Sequence, residues 1–277
     1  MMRLLQLELI KLGSNRASRV LIVSYFLLLT SIALVAAIKF DLGPVKFHLA
    51  EMGIFNFPYI WHFNTFITAF FKLFLAIVIV SMMANEYSNK TIKQNLIDGL
   101  SKREFVLSKF LTVVVFALVS TLFVFVVSLL LGLVYSDFNE PAIIFSDLEF
   151  LLAFFVKLMG FFSFCLFLGM LVKRSAFALG FLIIWQIVEA MARGMMRWKL
   201  FDADTTEAVM AFFPLQAMFN LIKEPFSRLE AVQTVADQVG QKIELDYAVQ
   251  WYELLIVLGW TAIFVYLSHA LLKKRDL

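Results

Sequence analysis

"EYSNKTIKQNLIDGLSKREFVLSKF", residues 86–110, is the longest polar passage in the first half of a chain that is otherwise mostly apolar. It places Glu86, Lys90, Lys93, Asp98, Lys102, Arg103, Glu104 and Lys109 between two hydrophobic runs, Phe63–Ala84 and Leu111–Tyr135. A helix needs about 20 mostly apolar residues to cross a bilayer core. Both runs are that long, so the polar passage joins two spans, and the fold class turns on reading it that way.

The rest of the chain agrees. Of 277 residues, 62% are hydrophobic and only 16% charged, with a mean hydropathy of +0.87; a soluble domain carries about 25% charged residues. This is an all-α membrane composition. Six spans are expected, at Val20–Ile38, Phe63–Ala84, Leu111–Tyr135, Leu148–Val172, Ala176–Ala192 and Trp251–Leu272. Val35-Ala36-Ala37 has the form of a signal-peptide cleavage site. The apolar run before it exceeds the usual ~7–15 residues, however, and an amphipathic segment, 1–19, precedes it. The expectation is a retained helix.

Orientation follows from Lys and Arg in the connections. With the N-terminus inside, residues 1–19, 85–110, 173–175 and 273–277 share one side and hold 14 basic against five acidic residues. The other side holds eight basic and 16 acidic residues. Both termini and the 86–110 passage are therefore expected in the cytoplasm, in a cytoplasmic (inner) membrane. The long outer connection, 193–250, has structure of its own. Its run Ala208–Ile222 is too short to span and is broken by Pro214, which suits a re-entrant or interfacial hairpin. Leu229, Val232, Ala236, Val239 and Ile243 recur at helical spacing and mark an amphipathic helix before the last span. With no repeat or linker in view, 1–277 is expected to be a single transmembrane domain.

Within the opening passage, Ser88 or Asn89 can cap a helix start, and Ile92, Leu96 and Leu100 form an apolar stripe. Gly99 is a natural helix stop. Ser101-Lys102-Arg103-Glu104 has the S-x-x-E form of a capping box. A short helix lying along the membrane face, a turn at Gly99 and a second helix entering the bilayer are expected, with Lys102, Arg103 and Lys109 at phosphate level. Stripe, stop and capping box together suit a docking surface better than a plain loop.

Two stretches resemble the membrane subunits of type-2 ABC exporters. "LELIKLGSNRASRVL", residues 7–21, is similar to that family's E-x-x-K-L-x-R elbow helix. Asn85-Glu86-Tyr87, Thr91, Leu100 through Glu104, and Lys109 resemble its acidic residue after helix two, its G-T-like turn and its S/P-R-x-x-F/Y-x-x-x-K stretch. Lys90 stands where Gly is common, and Leu100 precedes Ser101 where Pro is frequent. The resemblance implies that residues 85–110 form a coupling helix. Glu86, Tyr87, Thr91, Leu96, Ser101, Lys102, Arg103 and Glu104 would meet a separate cytoplasmic ABC ATPase. It further implies two permease chains, as homodimer or heterodimer, with the substrate path between them. No G-x-x-x-x-G-K-[ST] occurs in the chain, so the phosphate cradle of such an ATPase is missing and hydrolysis is expected on the partner.

Three charges fall inside expected spans: Lys72, Lys157 and Glu189. Counted from the cytoplasmic ends at ~1.5 Å per residue, all three reach one level. An unpaired charge at the bilayer centre costs roughly 2.5–3.5 kcal/mol, so Lys72 or Lys157 is expected to pair with Glu189 and to close an outer gate or meet an anionic substrate group. The alternative is snorkelling of the lysines and a Glu189–Arg193 pair.

Cys165 suits a small buried hydrophobe. His48, His62 and His269 are too scattered for a metal site and are expected at surfaces or interfaces, while Trp61, Trp198 and Trp251 read as interfacial anchors. No H-E-x-x-H or G-x-S-x-G motif is present. No catalytic residue, cofactor, metal or nucleic-acid partner is expected; the partners are the ATPase, a second permease chain, lipid and an exported substrate whose identity the residues do not select. An intramembrane enzyme, or a structural or sensory subunit without transport, are the competing readings.

Overall fold

The computed structural model describes residues 2–37, 39–42, 45–48, 53–238 and 246–275. Two helices open the chain, α1 (Met2–Ser14) and α2 (Arg16–Ala37), followed by a two-stranded antiparallel hairpin, β1 (Lys39–Leu42) and β2 (Val45–His48). Helices α3 (Tyr59–Ala69), α4 (Lys72–Ser88), α5 (Thr91–Ile97) and α6 (Lys102–Tyr135) come next. Then follow α7 (Pro141–Ile144), α8 (Glu149–Val172), α9 (Ser175–Lys199), α10 (Ala203–Met210) and α11 (Pro214–Asn220). A 3-10 turn at Phe226–Arg228 leads to α12 (Glu230–Gln238), and α13 (Trp251–Lys274) closes the order.

Among the described residues, four helices are long and apolar enough to cross a membrane: Lys102–Tyr135, Pro141–Val172, Ser175–Lys199 and Trp251–Lys274. A fifth crossing is made if Tyr59–Ala69 and Lys72–Ser88, bent by 45° at the break between them, count as one span. The expected span Phe63–Ala84 is thus not a straight rod. Its break has a local cause. Thr65 Oγ1 donates to the Trp61 carbonyl and Thr68 Oγ1 to the Asn64 carbonyl, back-bonding that bends helices. The ladder then passes to i→i−3 bonds, Phe70 N–H to Ile67 O and Phe71 N–H to Thr68 O. The expected span Val20–Ile38 falls on α2, and Ile38 lies outside the described residues.

The central element is α8, which packs against α13, α4, α6, α9 and α3. Its small residues permit this. A Cβ on Gly160 would stand 2.7 Å from Val257 Cγ1 of α13, and one on Gly169 would stand 3.0 Å from Met83 Cβ of α4. Close approach at small residues is how apolar helices gain packing where no hydrophobic effect separates them from lipid tails. Cys165 is fully buried on the same helix.

Several boundaries move. The helix expected at Ala176–Ala192 runs on to Lys199, while the span Leu111–Tyr135 belongs to a helix that begins at Lys102, directly after the expected Ser101 cap. At 34 residues and ~1.5 Å each, α6 is about 50 Å long and outreaches a ~30 Å core. Pro214 does break the run Ala208–Ile222, into α10 and α11. The amphipathic helix is realised over Glu230–Gln238, while Val239 and Ile243 lie outside the described residues.

Two aromatic assignments are corrected. Trp61 is wholly buried, its indole N–H donating to the Ile144 carbonyl and its ring stacked on Phe125; Trp198 and Trp251 are exposed. His62 is buried too, stacked 4.1 Å from Phe150 and within 2.9 Å of the Lys223 carbonyl. Both face inward because α3 wedges between α8 and the connection that carries Lys223 and Pro225.

Candidate functional site

The corner between α4 and α6 is built from three backbone devices. The first is a left-handed residue, Lys90 (φ 55°, ψ 21°), which starts α5. The expected cap at Ser88 or Asn89 is absent: Ser88 is the last residue of α4, and Asn89 closes that helix. The second device ends α5. Gly99 takes φ 96°, its N–H meets the Leu96 carbonyl, and the Leu100 N–H reaches the Asn95 carbonyl, the paired bonds of a Schellman stop. The third is the capping box. Ser101 Oγ accepts from the Glu104 N–H at 3.2 Å, while the Glu104 carboxylate accepts from the Ser101 N–H at 3.0 Å.

Behind this corner lies a buried ion network. Lys109 is fully buried, its ammonium 2.5 Å from both Glu8 Oε2 and Glu86 Oε1. Lys11 adds a second cation, 3.0 Å from Glu86 and 3.7 Å from Glu8. Thr91 Oγ1 donates to the other Glu86 oxygen. Burial acts against the Lys11 charge, but Glu8 and Glu86 outweigh it and hold that ammonium above the ordinary lysine range. One Lys and two Glu thus tie α1, α4 and α6 together directly under α5. Lys109 was expected at phosphate level; it is buried instead because two carboxylates from different helices converge on it.

A second tie reaches the end of α13. Arg275 donates to the Tyr87 hydroxyl at 2.8 Å and to the Met170 and Leu171 carbonyls at 2.5 and 2.9 Å. It thereby satisfies carbonyls left open at the end of α8. Lys102 donates to the carbonyls of Lys273 and Arg275 at 3.3 and 3.0 Å. Of the expected docking residues, then, Glu86, Tyr87, Thr91 and Lys102 are held by the protein itself. Leu96 is half-buried, and Arg103 and Glu104 are exposed together with Lys93, Gln94 and Ile97.

Deeper in the bundle, Lys72, Lys157 and Glu189 line one cavity of about 470 Å3 between α3, α4, α8, α9 and α11. Their expected common level is matched by a common space, but the expected pairing does not occur. Glu189 Oε1 accepts from Trp185 Nε1 at 2.7 Å and from the Leu215 N–H at 3.1 Å, and Oε2 from the Gln216 N–H at 3.0 Å. The carboxylate caps α11 from outside, satisfying N–H groups that a helix start leaves open. Arg193 turns away to Glu207 on α10, with Nε 2.9 Å from Oε1. The Glu189–Arg193 alternative is therefore not realised either. The lysine ammoniums rest on aromatic faces: Lys72 is 4.3 Å from the Phe161 ring centroid and Lys157 5.6 Å from that of Phe219, within cation–π reach.

A family model described as ABC-2 family transporter protein matches residues 10–277. The chain belongs to this family of transport permeases. No curated protein matches it.

In the permease, the sequence-marked polar residues of the passage 86–110 and of the spans gather at the α5 corner and at this cavity, and α8 borders both. Four participants escaped a reading by residue type. Glu8 and Lys11 stand in the elbow motif with no sign of their partners on α4 and α6, Arg275 sits in a short basic tail, and Phe219 is one of 32 phenylalanines. Among the described residues no group of His, Cys, Asp and Glu is arranged to hold a metal ion.

Proposed function

We propose that this permease is the membrane subunit of an ATP-driven exporter, driven through the α5 corner by a separate cytoplasmic ATPase. In this reading α2 supplies the sixth span, the basic end of the bundle lies in the cytoplasm of a cell with a single or inner cytoplasmic membrane, α1 is the elbow helix and α5 the coupling helix. The observation that carries it is the buried Lys109 network. A loop needs no fixed geometry, whereas a surface that receives force must be fastened to what it moves. Glu8, Glu86 and Lys109 fasten the corner to α1, α4 and α6, while α5 leaves Lys93, Gln94 and Ile97 exposed on its outer side.

Ile97 is 70% exposed at the tip of this corner, an apolar anchor framed by polar neighbours, which is the composition of a small docking surface. A second copy of the chain, or a homologue, completes the transporter, with the path along their interface. The exposed apolar flank of α9, including Ile183, Ile184 and Ile187, faces lipid or that second chain.

Co-purification tests the reading. The intact chain should capture an ABC ATPase and raise its hydrolysis rate. Ile97→Asp with Arg103→Glu should abolish both without lowering the chain's melting temperature. A permease that captures no ATPase, or a variant that captures it normally, defeats the assignment of the α5 corner.

A further inference from the structure

We infer that the cavity holding Lys72 and Lys157 binds an anionic amphiphile, a molecule with a carboxylate, phosphate or sulfonate head and an apolar tail. The inference rests on the permease reading, to which it adds the chemistry of the cargo. Three observations combine. First, the two ammoniums come from different helices, α4 and α8, and line the same space. Their contacts among the described residues are phenylalanine rings, with no carboxylate at ion-pair distance. Lys157 is only 3% exposed. An unpaired cation at this depth costs roughly 2.5–3.5 kcal/mol on insertion scales, so two in one cavity leave a place for an anion.

Second, no described residue supplies that anion. Glu189 borders the cavity, but its oxygens are occupied by the Trp185 indole and by the Leu215 and Gln216 amides. Glu207 is engaged by Arg193. The position of Glu189 is fixed by α11, and it acts as a structural cap beside the lysines.

Third, much of the remaining wall is aromatic or aliphatic, with Phe66, Phe70, Phe161, Phe219, Leu73 and Leu182, while Arg193, also on it, is paired with Glu207. A small hydrated anion would leave these walls wet, whereas a tail would cover them at about 25 cal/mol per Å2 of apolar surface removed from water. A volume near 470 Å3 lies within the ~300–1,000 Å3 typical of ligand pockets. It takes a head group and the first stretch of a chain. Gln186, also on the wall, offers an amide donor to the head.

The test uses the full chain in nanodiscs of zwitterionic phosphatidylcholine, with radiolabelled dodecyl phosphate as probe. Expected is saturable binding, weakened about tenfold or more by Lys72→Gln or Lys157→Gln, as for loss of one charged hydrogen bond, and retained in Lys72→Arg and Lys157→Arg. Unlabelled dodecanol and dodecyltrimethylammonium should compete poorly. If dodecanol competes as well as dodecyl phosphate, binding is partition into lipid and the inference fails. If inorganic phosphate competes equally, the site is a simple anion site and the amphiphile assignment fails. Undiminished binding in the Lys72→Gln/Lys157→Gln double variant also overturns it, and the competition arms decide on the unaltered chain should that variant not fold. Loss of binding with ATPase capture intact sinks this inference alone; binding without capture sinks the coupling reading alone.

Discussion

Replacing Lys109 by Met removes the charge at the centre of the network and keeps much of the side chain's volume. Two carboxylates, Glu8 and Glu86, with side chains 7% and 5% exposed, then face each other with only the half-exposed Lys11 to offset them. Removing one member of a buried ion pair costs about 3–5 kcal/mol, because the partner charge is stranded. In a protein of this size that is a fall of roughly 6–15 °C in melting temperature. The assay is thermal unfolding of the detergent-solubilised chain, followed by intrinsic fluorescence. The sign of the pH effect follows from the stranded charges. Close like charges raise carboxylate pKa values, so the folded variant holds more protons than its unfolded chain, and its stability falls as pH rises. The deficit should therefore shrink on going from pH 8 to about pH 5. Neutralising all partners together, Glu8→Gln, Glu86→Gln and Lys109→Met, should recover most of the loss, as replacement of whole buried ion clusters does elsewhere. A Lys109→Met variant that melts within about 1 °C of the parent would refute the claim that this network fastens the corner.

Two further outcomes follow from local geometry. Lys90→Gly should raise the melting temperature by a few degrees, since a left-handed conformation costs a side-chain-bearing residue roughly 1–2 kcal/mol and Gly none; an unchanged or lower value would place the strain elsewhere. Gly160→Ala should destabilise the bundle by about 1–3 kcal/mol through overpacking against Val257, read as a lower melting temperature, whereas the same change at Gly180, which has open space around it, should leave the value near that of the parent.

How far the chain could be read in advance depended on the distance over which each signal acts. The capping box at Ser101, the Gly99 stop and the break at Pro214 are local, and they stand where periodicity and residue type placed them. The bend at Phe70 was hidden, because threonine back-bonding competes with a hydrophobic run that looks uninterrupted. The Lys109 network is hidden for another reason: the family motifs mark Glu86 and Lys109 singly, but Glu8 lies 101 residues from Lys109, and nothing local to either shows that they meet. Glu189 finds its partners in the Trp185 indole and the backbone amides of α11, which no pairing by charge would select. Burial of Trp61 and His62 is likewise a tertiary effect, since both fall near a span end where anchors are common.

The break at Phe70 divides one crossing into two levers. One arm, α4, ends at Glu86 in the ion network; the other, α3, is moored through Tyr59 to the Pro225 carbonyl, His62 to the Lys223 carbonyl and Trp61 to the Ile144 carbonyl. A straight rod would pass a push at one end undiminished to the other. A rod with a knee converts part of that push into a change of angle, and the first residue of α4 beyond the knee is Lys72. On the proposed coupling reading, displacement at the α5 corner would swing Lys72 on the cavity wall, while the ties of α3 would hold the other arm.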